Sequence, residues 1–366
     1  MAISRRNKTE KLVSEIKREI KEPIKESPVE FLGSGGTHLN LALSGTSGGG
    51  WGRGRIHNIV GDGSSGKTAL ALEEAFWFYK YIKEIRSRIF PRVKSFEICY
   101  DNGEGVMDFP VSDMYGTEFY KAINWDRSPH FEAMCRRYYR KTRKLKKGQA
   151  LLYIIDSWDS FKSAKSMDLF LESVESDTEL KGDYDMALQK YASGKFFPNV
   201  CNILEDNGAD STLCIISQVR SKINALFGKK QYRAGGKALD FYTHQVAWLR
   251  EIEKMRKKKF GEMKVYGIRS EVAVDRNKLA KPFRVGRFTI LYDYGLDDTS
   301  SILDYVYGPK KSKFNFRGVK FKDKLSFVKH IERNKLQPQL IKKAQRKWDK
   351  VEDAFTEEIN ERPKRY

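Results

Sequence analysis

The sequence predicts an α/β fold built on a mostly parallel central sheet. Three observations carry that prediction. Apolar, strand-like runs at 56–60, 95–100, 151–156 and 212–216 alternate with stretches of helical texture, and strands joined by crossover helices pair in parallel. The first run leads into Gly61-Asp62-Gly63-Ser64-Ser65-Gly66-Lys67-Thr68 and then Ala69-Leu70-Ala71-Leu72, which reads as strand, glycine-rich loop and helix. At 366 residues the chain is long enough for one large core with smaller additions.

From the start of the chain, residues 1–28 are dense in Lys, Arg and Glu, with Leu12, Val13, Ile16, Ile20 and Ile24 spaced three or four apart. That pattern is an amphipathic helix with a narrow apolar stripe. It packs either on a neighbouring subunit or on its own domain. Glycine-rich turns around Leu39–Leu43 fill residues 31–54. After the loop and its helix, the strand at 95–100 ends in Asp101-Asn102-Gly103-Glu104, and 111–149 reads as helix-rich. Its run 136–147 mixes basic residues with tyrosines, which suits a solvated helix face or a nucleic-acid contact. Beyond residue 245 the texture turns strand-rich, at 245–252, 263–274 and 283–292. Residues 309–324 read as a Lys-rich linker carrying Phe314, Phe316 and Phe321, and helices at about 323–334 and 338–360 close the chain.

Composition narrows the partners. Lys and Arg outnumber Asp and Glu by 69 to 48, a formal net charge of +21. An excess of that size favours a polyanion, with nucleic acid first among the choices. Cys99, Cys135, Cys201 and Cys214 lack CxxC spacing, so neither zinc nor a disulfide framework is suggested. No apolar run is long enough to span a bilayer and no signal-peptide core opens the chain, so a membrane partner is not expected.

The chemistry gathers around Gly61–Thr68. Such a loop holds phosphate through backbone N–H groups and the N-terminus of the following helix. Gly61, Gly63 and Gly66 allow the tight turn, with Asp62, Ser64 and Ser65 between them. Lys67 reaches the terminal phosphates and Thr68 holds Mg²⁺. The expected ligands are therefore a nucleoside triphosphate and Mg²⁺. In parallel sheets ligand chemistry collects at the carboxyl ends of strands, where three more polar residues stand. Asp156 closes an apolar strand and is placed to orient the metal. Glu104 follows the strand ending at Tyr100 and is placed to polarise an attacking water. Gln218 follows Ile216-Ser217, where an amide can sense the γ-phosphate.

Taken together, several stretches resemble the bacterial RecA recombinases and their phage relatives. They are Gly61–Thr68, Ile154-Ile155-Asp156-Ser157, Ile216-Ser217-Gln218-Val219-Arg220, Leu226-Phe227-Gly228, Gly235-Gly236-Lys237-Ala238-Leu239-Asp240-Phe241-Tyr242 and Arg276-Asn277-Lys278-Leu279-Ala280-Lys281-Pro282-Phe283. Their order and spacing match over roughly residues 29–305. The resemblance implies an N-terminal subunit-packing helix at 1–30, a RecA-like ATPase core at 31–305, and a basic linker with a helical C-terminal region at 306–366.

It further implies an ATP-dependent recombinase that forms filaments on single-stranded DNA, pairs it with double-stranded DNA and exchanges strands, in the cytoplasm of a bacterial or phage-infected cell. A ring-forming helicase on the same core is the alternative. By the same resemblance Glu104 is the catalytic glutamate and Gln218 the γ-phosphate sensor. The second DNA-binding loop falls on 221–236, with Arg220, Lys222, Lys229, Lys230 and Arg233 as contacts and Gly235 and Gly236 as hinge. The first falls near 177–186. Phe241 couples subunits, and Arg276 and Lys278 reach the neighbour's γ-phosphate. Val111 stands where the family stacks adenine on a tyrosine, leaving Phe109 or Tyr115 as substitutes. The family's acidic tail is replaced here by a basic region.

Overall fold

The computed structural model describes residues 29–83, 93–105, 107, 109–176, 191–207, 210–221, 231–233, 236–360 and 362. Its centre is a ten-stranded sheet. Five parallel pairings build one half from β3 (Ile56–Gly61), β4 (Ser95–Asn102), β5 (Ile123–Asp126), β6 (Gln149–Asp156), β7 (Asp210–Ser221) and β9 (Gln245–Lys259). Across the sheet the order is β5-β4-β6-β7-β3-β9, continued antiparallel by β10 (Glu262–Asn277), β11 (Val285–Leu291) and β12 (Gly295–Leu296). A short β8 (Gln231–Arg233) pairs antiparallel with the end of β7, and β1 (Phe31–Leu32) pairs with β2 (Trp51–Gly52).

Both faces of the parallel half are covered, as its continuous apolar strands require. On β6, Ala150, Leu152 and Ile154 enter one core, while Leu151, Tyr153 and Ile155 enter the other. That is the two-residue period of a strand buried on both sides. The first core lies under α1 (Thr37–Ser44) and α2 (Lys67–Lys83), whose Leu70, Ala71, Leu72, Ala75 and Phe78 are fully buried. Two short helices, α3 (Val111–Tyr115) and α4 (Thr117–Ala122), join it through Val111 and Phe119. The second lies under α5 (Phe131–Lys144) and α7 (Phe197–Asn207), through Met134, Tyr138, Phe197 and Val200. Between them in the chain comes α6 (Ala164–Glu175), which buries no residue. The basic run at 136–147 thus lies mostly on α5, which sinks Cys135, Tyr138 and Thr142 and leaves Arg136, Arg140 and Arg143 outside.

Three departures from the sequence reading have physical causes. The helix-rich stretch contains the edge strand β5, whose four residues are too few to show a period of two. The strand expected at 245–252 runs on to Lys259, through a charged tail without alternation. The expected linker at 309–324 holds a hairpin, β13 (Phe314–Phe316) with β14 (Val319–Phe321). Phe314, Phe316 and Phe321 are buried around Phe327 of α10 (Lys324–Arg333), 4.5 to 5.6 Å between ring centroids.

This C-terminal part shares the first core. The helix α9 (Asp298–Tyr307) and the long α11 (Gln337–Asn360) pack together, with Leu340, Ala344 and Trp348 inside. Gln345 accepts from Ser47 N at 2.6 Å, and Glu352 pairs with Arg284 at 2.8 Å and Lys281 at 3.0 Å. The expected N-terminal helix at 1–28 and the first DNA-binding loop near 177–186 lie outside the described residues. Among the described residues no helix is long and apolar enough to cross a membrane, and Cys99, Cys135 and Cys214 are buried thiols outside any disulfide.

Candidate functional site

Parallel register brings the carboxyl ends of four strands to one edge. Gly61 is level with Gln218, and Asn102 with Asp156. The glycine-rich loop leaves that edge and turns through two left-handed residues, Ser64 at φ 61° and Gly66 at φ 96°. At Gly66 a side chain would also run into Ile290, so glycine is required twice over there. Ser65 Oγ donates to Asp62 O at 2.8 Å, and Ser65 O accepts from Ser270 of β10 at 2.9 Å. The helix α2 then starts at Lys67, so its unpaired N–H groups face the loop.

Lys67 Nζ donates to Asp62 O at 2.7 Å, and burial lowers its pKa. Thr68 Oγ1 donates to Asp156 Oδ2 at 2.9 Å, and the Tyr100 hydroxyl donates to the same oxygen. Burial raises the Asp156 pKa; the bonds from Tyr100 and Thr68 oppose it. A hydroxyl and a buried carboxylate side by side next to a phosphate loop are a fitting oxygen donor set for Mg²⁺. A cavity of about 370 Å³ opens beside the loop, lined by Ser64, Lys67, Thr68, Phe109, Met114 and Tyr292 among others. Of the two aromatics considered for base stacking, Phe109 lines it. Tyr115 instead donates to buried Glu73 at 3.0 Å.

Glu104 is held from three sides. Its backbone N–H is bound by Asn102 Oδ1 at 2.9 Å, and its Oε1 accepts from Ser157 Oγ and from Gln218 Nε2, each at 2.9 Å. Gln218 is fixed a second time, its backbone N–H donating to Asp159 Oδ2 at 2.7 Å. Burial raises the pKa of Asp159, with this bond and the nearby Arg220 acting against it. Lys67, Thr68, Glu104, Asp156 and Gln218 therefore stand at one site. Sequence reasoning assigned no role to Tyr100, Asn102, Ser157 or Asp159, the residues that position them. The strand end at 100–102 and the Asp-Ser pair after β6 were the available signals.

Arg276 and Lys278 stand elsewhere. Arg276, near the carboxyl end of the antiparallel β10, is level with Val246 at the amino end of β9, and Val246 with Asn58 in the first half of β3. Lys278 lies beyond that level, its Nζ donating to Phe241 O at 2.5 Å and resting 5.7 Å from the Phe241 ring centroid. Phe241 is 66 % exposed on α8 (Gly236–Tyr242), which runs back from β8 to this edge. The phosphate loop and these two cations thus occupy opposite ends of the sheet in one chain.

Of the expected DNA contacts, Lys222, Lys229, Lys230 and Gly235 lie outside the described residues. Arg220 is exposed near the end of β7, and Gly236 opens α8. Arg233 departs from its expected role. Its guanidinium is buried, bonded to Asn58 Oδ1 and paired with Asp240 at 2.6 Å, so it faces the sheet and not a polyanion outside.

The family model for the RecA N-terminal domain matches residues 166–297. Among curated proteins, Protein RecA of Gloeothece citriformis is 26% identical over 319 residues, covering 84% of this chain and 78% of that protein. Protein RecA of Rippkaea orientalis is 27% identical, covering 84% and 79%. Protein RecA of Mycoplasma genitalium is 27% identical over 286 residues, covering 76% and 72%. Motifs, the mostly parallel sheet, the family-model match and the curated proteins agree that this chain is similar to the RecA-type recombinases.

Proposed function

We propose that this protein is an ATP-dependent DNA recombinase that assembles on single-stranded DNA, pairs it with a homologous duplex and exchanges strands. The observation that carries the reading is the contact of Gln218 with Glu104. It joins the group placed to act on water to the strand that leads into residues 222–230. Nucleotide state and the segment that follows β7 are then linked through one hydrogen bond, which is what a nucleotide-switched DNA grip requires.

In this reading the loop 61–68 cradles the phosphates of ATP, and Lys67 balances their charge. Thr68 and Asp156 would hold Mg²⁺, which neutralises charge on the phosphate oxygens when bound. Glu104 accepts a hydrogen bond from the attacking water and orients it, while Ser157 and Gln218 keep the carboxylate in place and Asn102 holds its backbone N–H. Arg276 and Lys278 belong to the next subunit's reaction. Sited at the far edge of the sheet, they supply cations to a neighbour's γ-phosphate, as arginine fingers do in trans. Arg220, Lys222, Lys229 and Lys230 serve as backbone contacts for DNA, with Gly235 and Gly236 as hinge; such contacts carry no sequence preference.

A joint-molecule assay tests the whole proposal. With ATP, single-stranded circles should form joints with a homologous duplex and none with a heterologous one, and Lys67→Ala should abolish them. Strand exchange by Lys67→Ala, or ATP turnover indifferent to DNA, overturns the reading. Closed rings on single-stranded DNA in electron micrographs would favour the helicase alternative.

A further inference from the structure

We propose that His57, Glu74 and Cys214 form a structural site for one zinc ion, in the core behind the phosphate loop. Strand register builds the cluster. His57 of β3 and Cys214 of β7 are direct partners in a parallel pair, so both side chains leave the sheet on one face. The helix α2 lays Glu74 over them. His57 Nε2 meets Glu74 Oε2 at 2.8 Å, and one donor atom from each of the three residues lies within 4.8 Å of the other two. All three side chains are fully buried.

The cluster does not satisfy itself. Among the described residues Glu74 Oε1 is buried without a hydrogen-bond partner, and Cys214 and Trp51 around it belong to the first apolar core. A carboxylate oxygen left alone in such surroundings is costly, and a cation would answer it. The His57 ring is stacked on Trp51, 4.3 Å between centroids and 16° between planes, which fixes the imidazole while its Nε2 faces the carboxylate.

The donor set selects the metal. Imidazole nitrogen, thiolate sulfur and carboxylate oxygen are the ligands of zinc, whereas Thr68 and Asp156 offer only oxygen, which suits Mg²⁺. With both oxygens of Glu74 bound, three residues give four donors, the closed set of a structural site. Zinc bonds of about 2.0 to 2.3 Å put neighbouring donors roughly 3.3 to 3.6 Å apart. The hydrogen bond between His57 and Glu74 opens by about half an ångström to reach that spacing. The thiol proton leaves to solvent as sulfur binds.

Its place gives the ion work to do. His57 comes four residues before Gly61, Glu74 six after Thr68 and Cys214 four before Gln218. One ion thereby fastens the strand and the helix that flank the phosphate loop to the strand that carries the sensing amide. Cysteine spacing along the chain carries no trace of this, because the three ligands come from separate elements. Since the cluster is fully buried, the metal enters as the chain folds.

The test is the metal content of the untagged full-length chain, produced in zinc- or cobalt-supplemented medium and purified without chelator. The wild type should carry about one zinc per chain. Its cobalt form should show a thiolate-to-metal charge-transfer band in the near ultraviolet and the visible bands of tetrahedral Co²⁺. Cys214→Ala should lose that band, and its zinc content should fall about tenfold or more. Cys201→Ala, on α7 and outside the cluster, should keep both. X-ray absorption at the zinc edge needs no variant, and in the wild type it should find one sulfur among nitrogen and oxygen neighbours. A zinc-free wild type, a zinc shell without sulfur, or a Cys214→Ala protein with full zinc and an unchanged cobalt spectrum would each overturn the proposal.

Discussion

Gln218 donates its side-chain amide to Glu104 Oε1 at 2.9 Å while Asp159 holds its backbone N–H at 2.7 Å. Removing the amide takes one of the hydrogen bonds that orient the carboxylate, leaving it to Ser157, without touching the phosphate loop. Gln218→Ala should therefore cut DNA-stimulated turnover by roughly ten- to a hundredfold, the scale of a misplaced reacting group. Nucleotide affinity should change little. Stopped-flow binding of a fluorescent ATP analogue beside steady-state turnover separates the two, and an equal loss in both would show that Gln218 merely shapes the pocket.

Stability should depend on Glu73. It is buried on α2, accepting from Tyr115 OH and Leu296 N, and burial lifts its pKa from 4.5 to about 7. The folded state then binds the proton more tightly than the unfolded chain. Its contribution is complete below about pH 4.5 and is lost as pH rises through about 7, a change of up to roughly 3 kcal/mol. Glu73→Gln keeps an acceptor for both bonds and should flatten this part of the profile. Urea titrations between pH 4.5 and 8 check it, with an unaltered slope counting against Glu73.

Arg233 should behave as a structural residue. Arg233→Ala strips a partner from Asn58 and from Asp240, so the melting temperature should fall. The salt slope of single-strand binding should not change, since a guanidinium turned into the sheet neutralises no phosphate. A slope reduced by about one would restore Arg233 to the DNA surface.

Phe327 anchors the C-terminal part. Its ring meets Tyr307, Phe314, Phe316 and Phe321 and is fully buried. Phe327→Ala should cost about 3 to 5 kcal/mol and Phe327→Leu clearly less. If calorimetry finds no loss, the hairpin at 314–321 is not packed on α10 as described.

Much of this was legible in the sequence because it rests on local signals. The loop at 61–68 carries its own glycines, and β6 announces itself by an apolar run ending in Asp156. Expectation and structure agree on the sheet, and Glu104, Asp156 and Gln218 are found around Lys67 and Thr68. What was hidden depends on register. Nothing near Asp159 in the chain says that it will meet Gln218, because their meeting is set by β6 and β7 running side by side. Arg233 misled for the same reason: a cation in a polar, glycine-flanked stretch looks solvent-facing until Asn58 of another strand is brought beneath it. The phenylalanines at 314–321 were diluted among lysines, so their shared burial against Phe327 had no periodic trace.

The separation of Lys67 from Lys278 has a consequence for symmetry. If one subunit's loop edge must meet another's cation edge, the joined surfaces lie at opposite ends of the sheet, and a single twofold interface cannot contain both. Only head-to-tail stacking completes a site, and such stacking either closes or continues without limit. In an open stack every junction is a working centre, while the two terminal subunits each present an unanswered half. Short assemblies would then be poorer per subunit than long ones, and length itself would set specific activity.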